Sequence, residues 1–123
     1  MNNKDKSLAF SNGEFEKIYG FIADNAVWTV VEEDTFTGKK AIIDNCEKVA
    51  NYFKSVTTKF ETLNVIEENK KVVINGTAEF LKDNERVSFV SASDLYEFNE
   101  EDQIQKITSY CCLLYTSPSP RDS

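Results

Sequence analysis

The residues best placed to do chemistry lie on one strand-like run, Arg86 to Phe98, the longest such run in the chain. Asp94 sits in its middle among small and apolar neighbours, and Tyr96 follows two residues later. A strand's period of two puts both side chains on one face. An acid on a strand that faces an apolar interior loses hydration, which raises its pKa and fits it to act as a general base. The plainer alternative is an acid held for structure, hydrogen-bonded to a neighbouring strand or to the first helix. Tyr96 and, one run later, Tyr110 are candidate donors to a developing oxyanion. They can equally be amphipathic wall residues whose hydroxyls point outward.

Composition narrows the chemistry. The chain has no histidine, so Ser-His and Cys-His nucleophile pairs are excluded. Its three cysteines, Cys46, Cys111 and Cys112, lack the spacing of a zinc site. Cys46 falls on an apolar helical stripe and reads as a core thiol. Glu32, Glu33 and Asp34 are adjacent, and neighbouring loop acids rarely converge on an ion, so they read as a solvated turn. Neither a metal nor a cofactor is expected. A net charge of −7 argues against nucleic acid and anionic membranes as partners. The polar start, Met-Asn-Asn-Lys-Asp-Lys, precedes no apolar signal core, and no apolar run has membrane-spanning length. A cytoplasmic location is expected.

The elements that must position Asp94 come next, and the 123 residues suffice for one core and not two. Ser11-Asn12-Gly13-Glu14 fits a capping box, and Phe15, Ile18, Tyr19 and Ile22 then mark one face of a helix. Leu8, Ala9 and Phe10 extend it upstream or form a helical lead-in, and Asp24-Asn25 closes it. Ala26 to Val31 reads as a short strand with Trp28 and Val30 on one face. A polar connection, Glu32-Glu33-Asp34 through Thr37-Gly38, leads to a second helix. Its stripe is Ile42, Ile43, Cys46, Val49, Ala50 and Phe53. Four strand-like runs follow, Lys59–Ile66, Lys71–Leu81, Arg86–Phe98 and Ile104–Cys111. Short polar joins between them predict an antiparallel meander. Gly76, inside the second run, predicts a bulge or sharp bend. Helices on one side of a bent antiparallel sheet make an α+β domain enclosing a cone-shaped cavity.

The last stretch does not continue this pattern. Residues 112–122, Cys-Leu-Leu-Tyr-Thr-Ser-Pro-Ser-Pro-Arg-Asp, resemble the translation of a transposase-type sequencing adapter. That resemblance implies a natural chain interrupted near Cys111, within its last strand. The expected organisation is therefore a single domain over residues 1–111 and an artefactual or disordered tail over 112–123.

The order of elements resembles the nuclear transport factor 2-like superfamily, in particular its SnoaL-like bacterial members. The stretches that carry it are Ala23-Asp24-Asn25-Ala26-Val27-Trp28, Thr37-Gly38-Lys39-Lys40-Ala41-Ile42, Ser93-Asp94-Leu95-Tyr96-Glu97-Phe98 and Ile104 to Tyr110. The resemblance implies a conical α+β fold whose N-terminal helices pack on a strongly curved antiparallel sheet. It also implies a pocket inside the curve and a homodimer formed through the outer sheet face. The superfamily includes isomerases, cyclases, epoxide hydrolases, dehydratases and transport factors, so fold does not choose function. The departures are informative. Ser109 stands before Tyr110 where the resembling epoxide hydrolases have an acid, and Arg86 lies too early on its strand to supply their arginine. A histidine-dependent dehydratase is excluded, and the acid pair of ketosteroid isomerases has no counterpart here. The expected function is binding of a small hydrophobic molecule, with Trp28, Tyr52 and Phe53 lining the cone and Asp94, Tyr96 and Tyr110 as polar contacts. The alternatives are a proton-transfer enzyme with Asp94 as base, and a dimeric protein-interaction module.

Overall fold

The computed structural model describes residues 1–116. It begins with α1, Asn3–Ser11, capped by Asn2, whose side chain accepts from the Asp5 amide. This overturns the helix expected to start at Ser11. Ser11 is the last residue of α1, and Gly13 follows in the left-handed region at φ 78°. The Gly13 amide donates to the Phe10 carbonyl and the Glu14 amide to the Ala9 carbonyl. That is a Schellman stop, so Ser-Asn-Gly-Glu ends a helix here rather than opening one. Phe15–Phe21 then form a 3-10 helix that buries Phe15 and Ile18, three residues apart as that helix requires.

Strand β1, Ile22–Val30, starts earlier than its β-rich core suggested and is irregular between Ile22 and Val27. Residues 34–37, expected to be a plain connection, form the short edge strand β2, Asp34–Thr37. Only Phe36 of β2 packs inward, against Trp28, which is why its polar sequence gave no strand signal. Helix α2, Lys39–Ser55, carries the expected stripe, with Ile42 and Cys46 fully buried. The meander follows as β3 Thr57–Glu68, β4 Lys71–Lys82, β5 Glu85–Phe98 and β6 Ile104–Thr116. The β3–β4 and β4–β5 turns are Asn69-Lys70 and Asp83-Asn84, all four at positive φ. Two-residue hairpin turns with both residues left-handed match the twist of the strands they join. Residues 112–116 pair with β5 as the end of β6, so this part of the expected tail is strand; residues 117–123 lie outside the described residues.

The six strands form one sheet in the order β2-β1-β6-β5-β4-β3. All neighbours are antiparallel except β1 and β6, so the sheet is mixed rather than purely antiparallel. A flat sheet of this size would be about 24 Å wide from edge to edge. Yet α2 touches β1 and β2 at one edge and β3 at the other. One helix, about 10 Å across, can do that only if the sheet curls around it. The bulge that helps is at Gly76, which pairs with Thr62 where β3 slips by one residue. A methyl group at Gly76 would stand 2.3 Å from the Glu61 carbonyl oxygen, so only glycine lets the strands approach this closely. Inside the curl, Phe10 meets Phe15, Trp28 and Tyr96 edge-on at centroid distances of 5.1, 5.0 and 5.8 Å.

Candidate functional site

Strands β5 and β6 place Asp94 directly opposite Ser109, and Tyr96 opposite Ile107. Trp28 on β1 is in turn aligned with Ile107. These side chains share the concave face, and the end of α1 lowers Ser11 onto them. Ser11 Oγ lies 2.8 Å from Asp94 Oδ2 and 2.6 Å from the Tyr96 hydroxyl. A serine has one proton; donated to the carboxylate, it leaves the oxygen to accept from Tyr96. Trp28 Nε1–H donates to Ser109 Oγ at 3.0 Å, which holds that hydroxyl on the strand position across from Asp94. One relay therefore reaches the carboxylate, Tyr96 through Ser11, and Trp28 fixes Ser109 beside it. Indole nitrogen cannot accept, so the Ser109 proton has nowhere to turn but away from Trp28.

These donors and the burial of Asp94 oppose each other. Burial raises its pKa, while the neighbouring Ser109, Ser11 and Tyr96 hydroxyls lower it; burial prevails, and the carboxyl is a stronger base than an exposed one. Tyr96, fully buried, has its own pKa pushed well above the ordinary phenol value by burial and by the Asp94 charge, so it stays protonated.

Asp94, Ser11 and Ser109 form the polar part of a cavity of about 800 Å³. Its remaining wall is mostly aromatic and aliphatic: Phe10, Phe15 and Trp28 on one side, Phe53, Phe60 and Phe80 on the other. Phe53 stacks between Phe15 and Phe80 at 6.3 and 5.8 Å and meets Phe60 edge-on. Val31, Glu32, Glu33 and Tyr52 are exposed and mark the mouth. Asp94 and Ser11 also border a smaller cavity of about 70 Å³ between α1, β3 and β4.

Of the residues singled out from sequence, Trp28, Tyr52, Phe53 and Asp94 line the large cavity. Tyr96 shares their face but lies beneath Ser11, fully buried, and does not line the cavity. Tyr110 is on the opposite face, opposite Ser93 and 52% exposed, because Ser109 takes the inward position on β6. Tyr110 therefore cannot donate into the cavity. Both partners foreseen for a structurally held acid are present, Ser109 from the next strand and Ser11 from the first helix. Ser109 was findable from its place across the meander from Asp94; Ser11 was hidden by the misplaced start of the helix. Cys46 is a core thiol with its pKa raised to about 12 by burial, and among the described residues no acid, cysteine or histidine cluster could hold a metal.

The SnoaL-like domain family matches residues 7–107. The chain is a SnoaL-like domain. Its fold is that of nuclear transport factor 2-like proteins: a protein of unknown function from Cytophaga hutchinsonii, described as NTF2-like, superposes with a TM-score of 0.79. The two are 30% identical, and the match covers 88% of this chain and 94% of that one. An LEH-like epoxide hydrolase of M. tuberculosis shares the fold at a TM-score of 0.67 and 14% identity, covering 89% of this chain and 82% of that one. No match was found among curated proteins. The SnoaL-like core thus holds its acid at the inner end of the cavity. None of the described residues lining that cavity is an arginine. No helix among the described residues is long and apolar enough to cross a membrane.

Proposed function

We propose that this SnoaL-like domain binds a small, largely apolar molecule in the cavity, with Asp94 as the half-buried acceptor that fixes its orientation. One observation carries this reading: a mostly apolar chamber of about 800 Å³ has a single carboxylate at its inner end, hydrogen-bonded by Ser11 and set opposite Ser109. Chambers of this size with few convergent polar groups are where small ligands bind. Trp28 is the chain's one tryptophan and borders the cavity, so its fluorescence reports occupancy. Titrating the protein with neutral aromatic alcohols, such as 1-naphthylmethanol, should change Trp28 emission saturably, and native mass spectrometry should find a one-to-one adduct. No saturable change and no adduct would overturn the reading.

The raised pKa of Asp94 favours a second reading, proton abstraction next to a carbonyl. Against it, Tyr96 is committed to Ser11, Ser11 to Asp94 and the Trp28 N–H to Ser109, so these inner donors are already engaged and not free for an oxyanion. Exchange of the α-protons of 2-tetralone in D2O, followed by NMR, separates the two. Catalysed exchange that falls by about 10²-fold or more in Asp94→Asn would establish the enzyme reading. The outer sheet face, where Ile66 and Tyr110 are 61% and 52% exposed, is the surface on which a second copy would pack.

A further inference from the structure

A buried carboxylate is normally paired with a cation, because hydrogen bonds alone rarely repay the lost hydration of a full charge. Asp94, half-buried in the cavity wall, has no such partner among the described residues. Every ion pair there lies elsewhere on the molecule, and the donors on Asp94 are all neutral hydroxyls. No described residue lining the cavity is a lysine or arginine, whereas Glu32 and Glu33 add two more carboxylates at its mouth. Glu33 and Asp94 act on a common neighbour: after desolvation, both raise the pKa of the Cys111 thiol, which also lines the cavity.

Resting on the binding reading above, we propose that the ligand is a hydrophobic amine, whose ammonium group pairs with Asp94 and whose apolar body lies between the rings of Phe10, Phe15, Phe53 and Phe80. The acceptor capacity for it exists. A carboxylate offers about four lone-pair directions, and the two serines and the distant Tyr96 hydroxyl leave part of that unused. The aromatic walls add attraction for a cation near ring faces and, unlike an aliphatic wall, do not penalise it. Glu32 and Glu33 raise the concentration of cations at the mouth and repel carboxylates and phosphates. Glu32 holds its place at φ 66°, a left-handed backbone position unusual for a residue that is not glycine.

The test uses three ligands with one apolar body: 1-naphthylmethylamine, 1-naphthylmethanol and 1-naphthoate, titrated by calorimetry at pH 7 and low salt. The amine should bind at least about tenfold more tightly than the alcohol, and the carboxylate should not bind detectably. Asp94→Asn, checked for folding by circular dichroism, should remove that advantage, so that amine and alcohol bind the variant with equal affinity. The double variant Glu32→Gln, Glu33→Gln should weaken the amine about threefold at low salt and not at 1 M salt, where screening is complete within a few ångströms. If alcohol and amine bind equally, or if Asp94→Asn keeps the amine's advantage, the amine assignment fails and the binding cavity stands. If none of the three binds, the cavity reading falls and the amine assignment with it.

Discussion

Two hydrogen-bonded clusters sit back to back on the same strands. On the concave face, Asp94 gathers Ser11, Ser109, Tyr96 and Trp28. On the convex face, Asn75 accepts from Asn64 at 2.9 Å and donates to Ser93 at 3.0 Å, one residue away from Asp94 on β5. Both clusters bridge neighbouring strands by side chains at matching register. They differ in one component and one circumstance. The inner cluster contains an ionisable group, whose pKa is raised by desolvation; the outer one, half-buried like it at Asn75 and Ser93, contains only amides and a hydroxyl. The same polar density therefore supports chemistry on one face and only strand pairing on the other. What converts a hydrogen-bond cluster into a candidate site here is desolvation of a charge, not the number of polar groups.

The largest perturbation should erase both clusters together. Gly76→Ala puts a methyl 2.3 Å from the Glu61 carbonyl oxygen and 3.3 Å from Thr62 Cα, both rigid backbone of β3, so β3 must move away from β4. The expected cost is roughly 2–3 kcal/mol in urea unfolding, with loss of ligand binding. A midpoint unchanged from the parent would refute the close-approach argument for this glycine.

A smaller change should separate the two faces by pH. Burial raises the Asp94 pKa above its ordinary 3.8, so the folded protein binds that proton more tightly than the unfolded chain. Its stabilising contribution is complete below that ordinary value and is lost as pH rises through the folded value. Asp94→Asn removes the titration. Wild type should thus lose stability relative to Asp94→Asn as pH is raised from about 4 to 7, where Asp102, held low by Lys70, contributes equally to both. Parallel pH curves for the two proteins would show that Asp94 is not desolvated.

The smallest effect belongs to the outer cluster. Asn75→Ala should cost about 0.5–1 kcal/mol, independent of pH, and leave ligand affinity unchanged. A pH-dependent loss, or weaker binding, would mean that the faces are coupled through the sheet.

Much of this architecture was legible from local pattern. The α2 stripe and the hairpins of β3 to β6 follow from periodicity and polar turns, and Gly76 announced its bend. What escaped depended on partners distant in sequence. Ser-Asn-Gly-Glu satisfies a helix start and a helix stop equally, and the glycine's left-handed φ decides between them only once the chain is folded. Strand β2 is polar because it is an edge with one inward side chain. Parallel pairing of β1 with β6 leaves no mark on either strand alone. At the site, Asp94 and Trp28 were readable because each is an odd residue on its strand. The error on Tyr110 was one of parity, since a strand's faces alternate and Ser109 had taken the inner one. The face of Tyr96 was correct but not its depth, which is set by the Ser11 end of α1 lying over it.

The two serines that hold Asp94 come from nearly opposite ends of the described chain, Ser11 eighty-three residues before it and Ser109 on the last strand. Hairpins β3–β4 and β4–β5 close over two-residue turns and can form early, whereas the Ser11 contact requires the most distant loop of the site to close. The carboxylate is thus the last polar group in its neighbourhood to find its partners. During synthesis, a ribosome-bound chain lacking β6 would carry a wetted, ordinary aspartate with no cavity around it. Acquisition of the perturbed acid therefore doubles as a timestamp for the completed fold, visible as the moment Trp28 gains its serine partner.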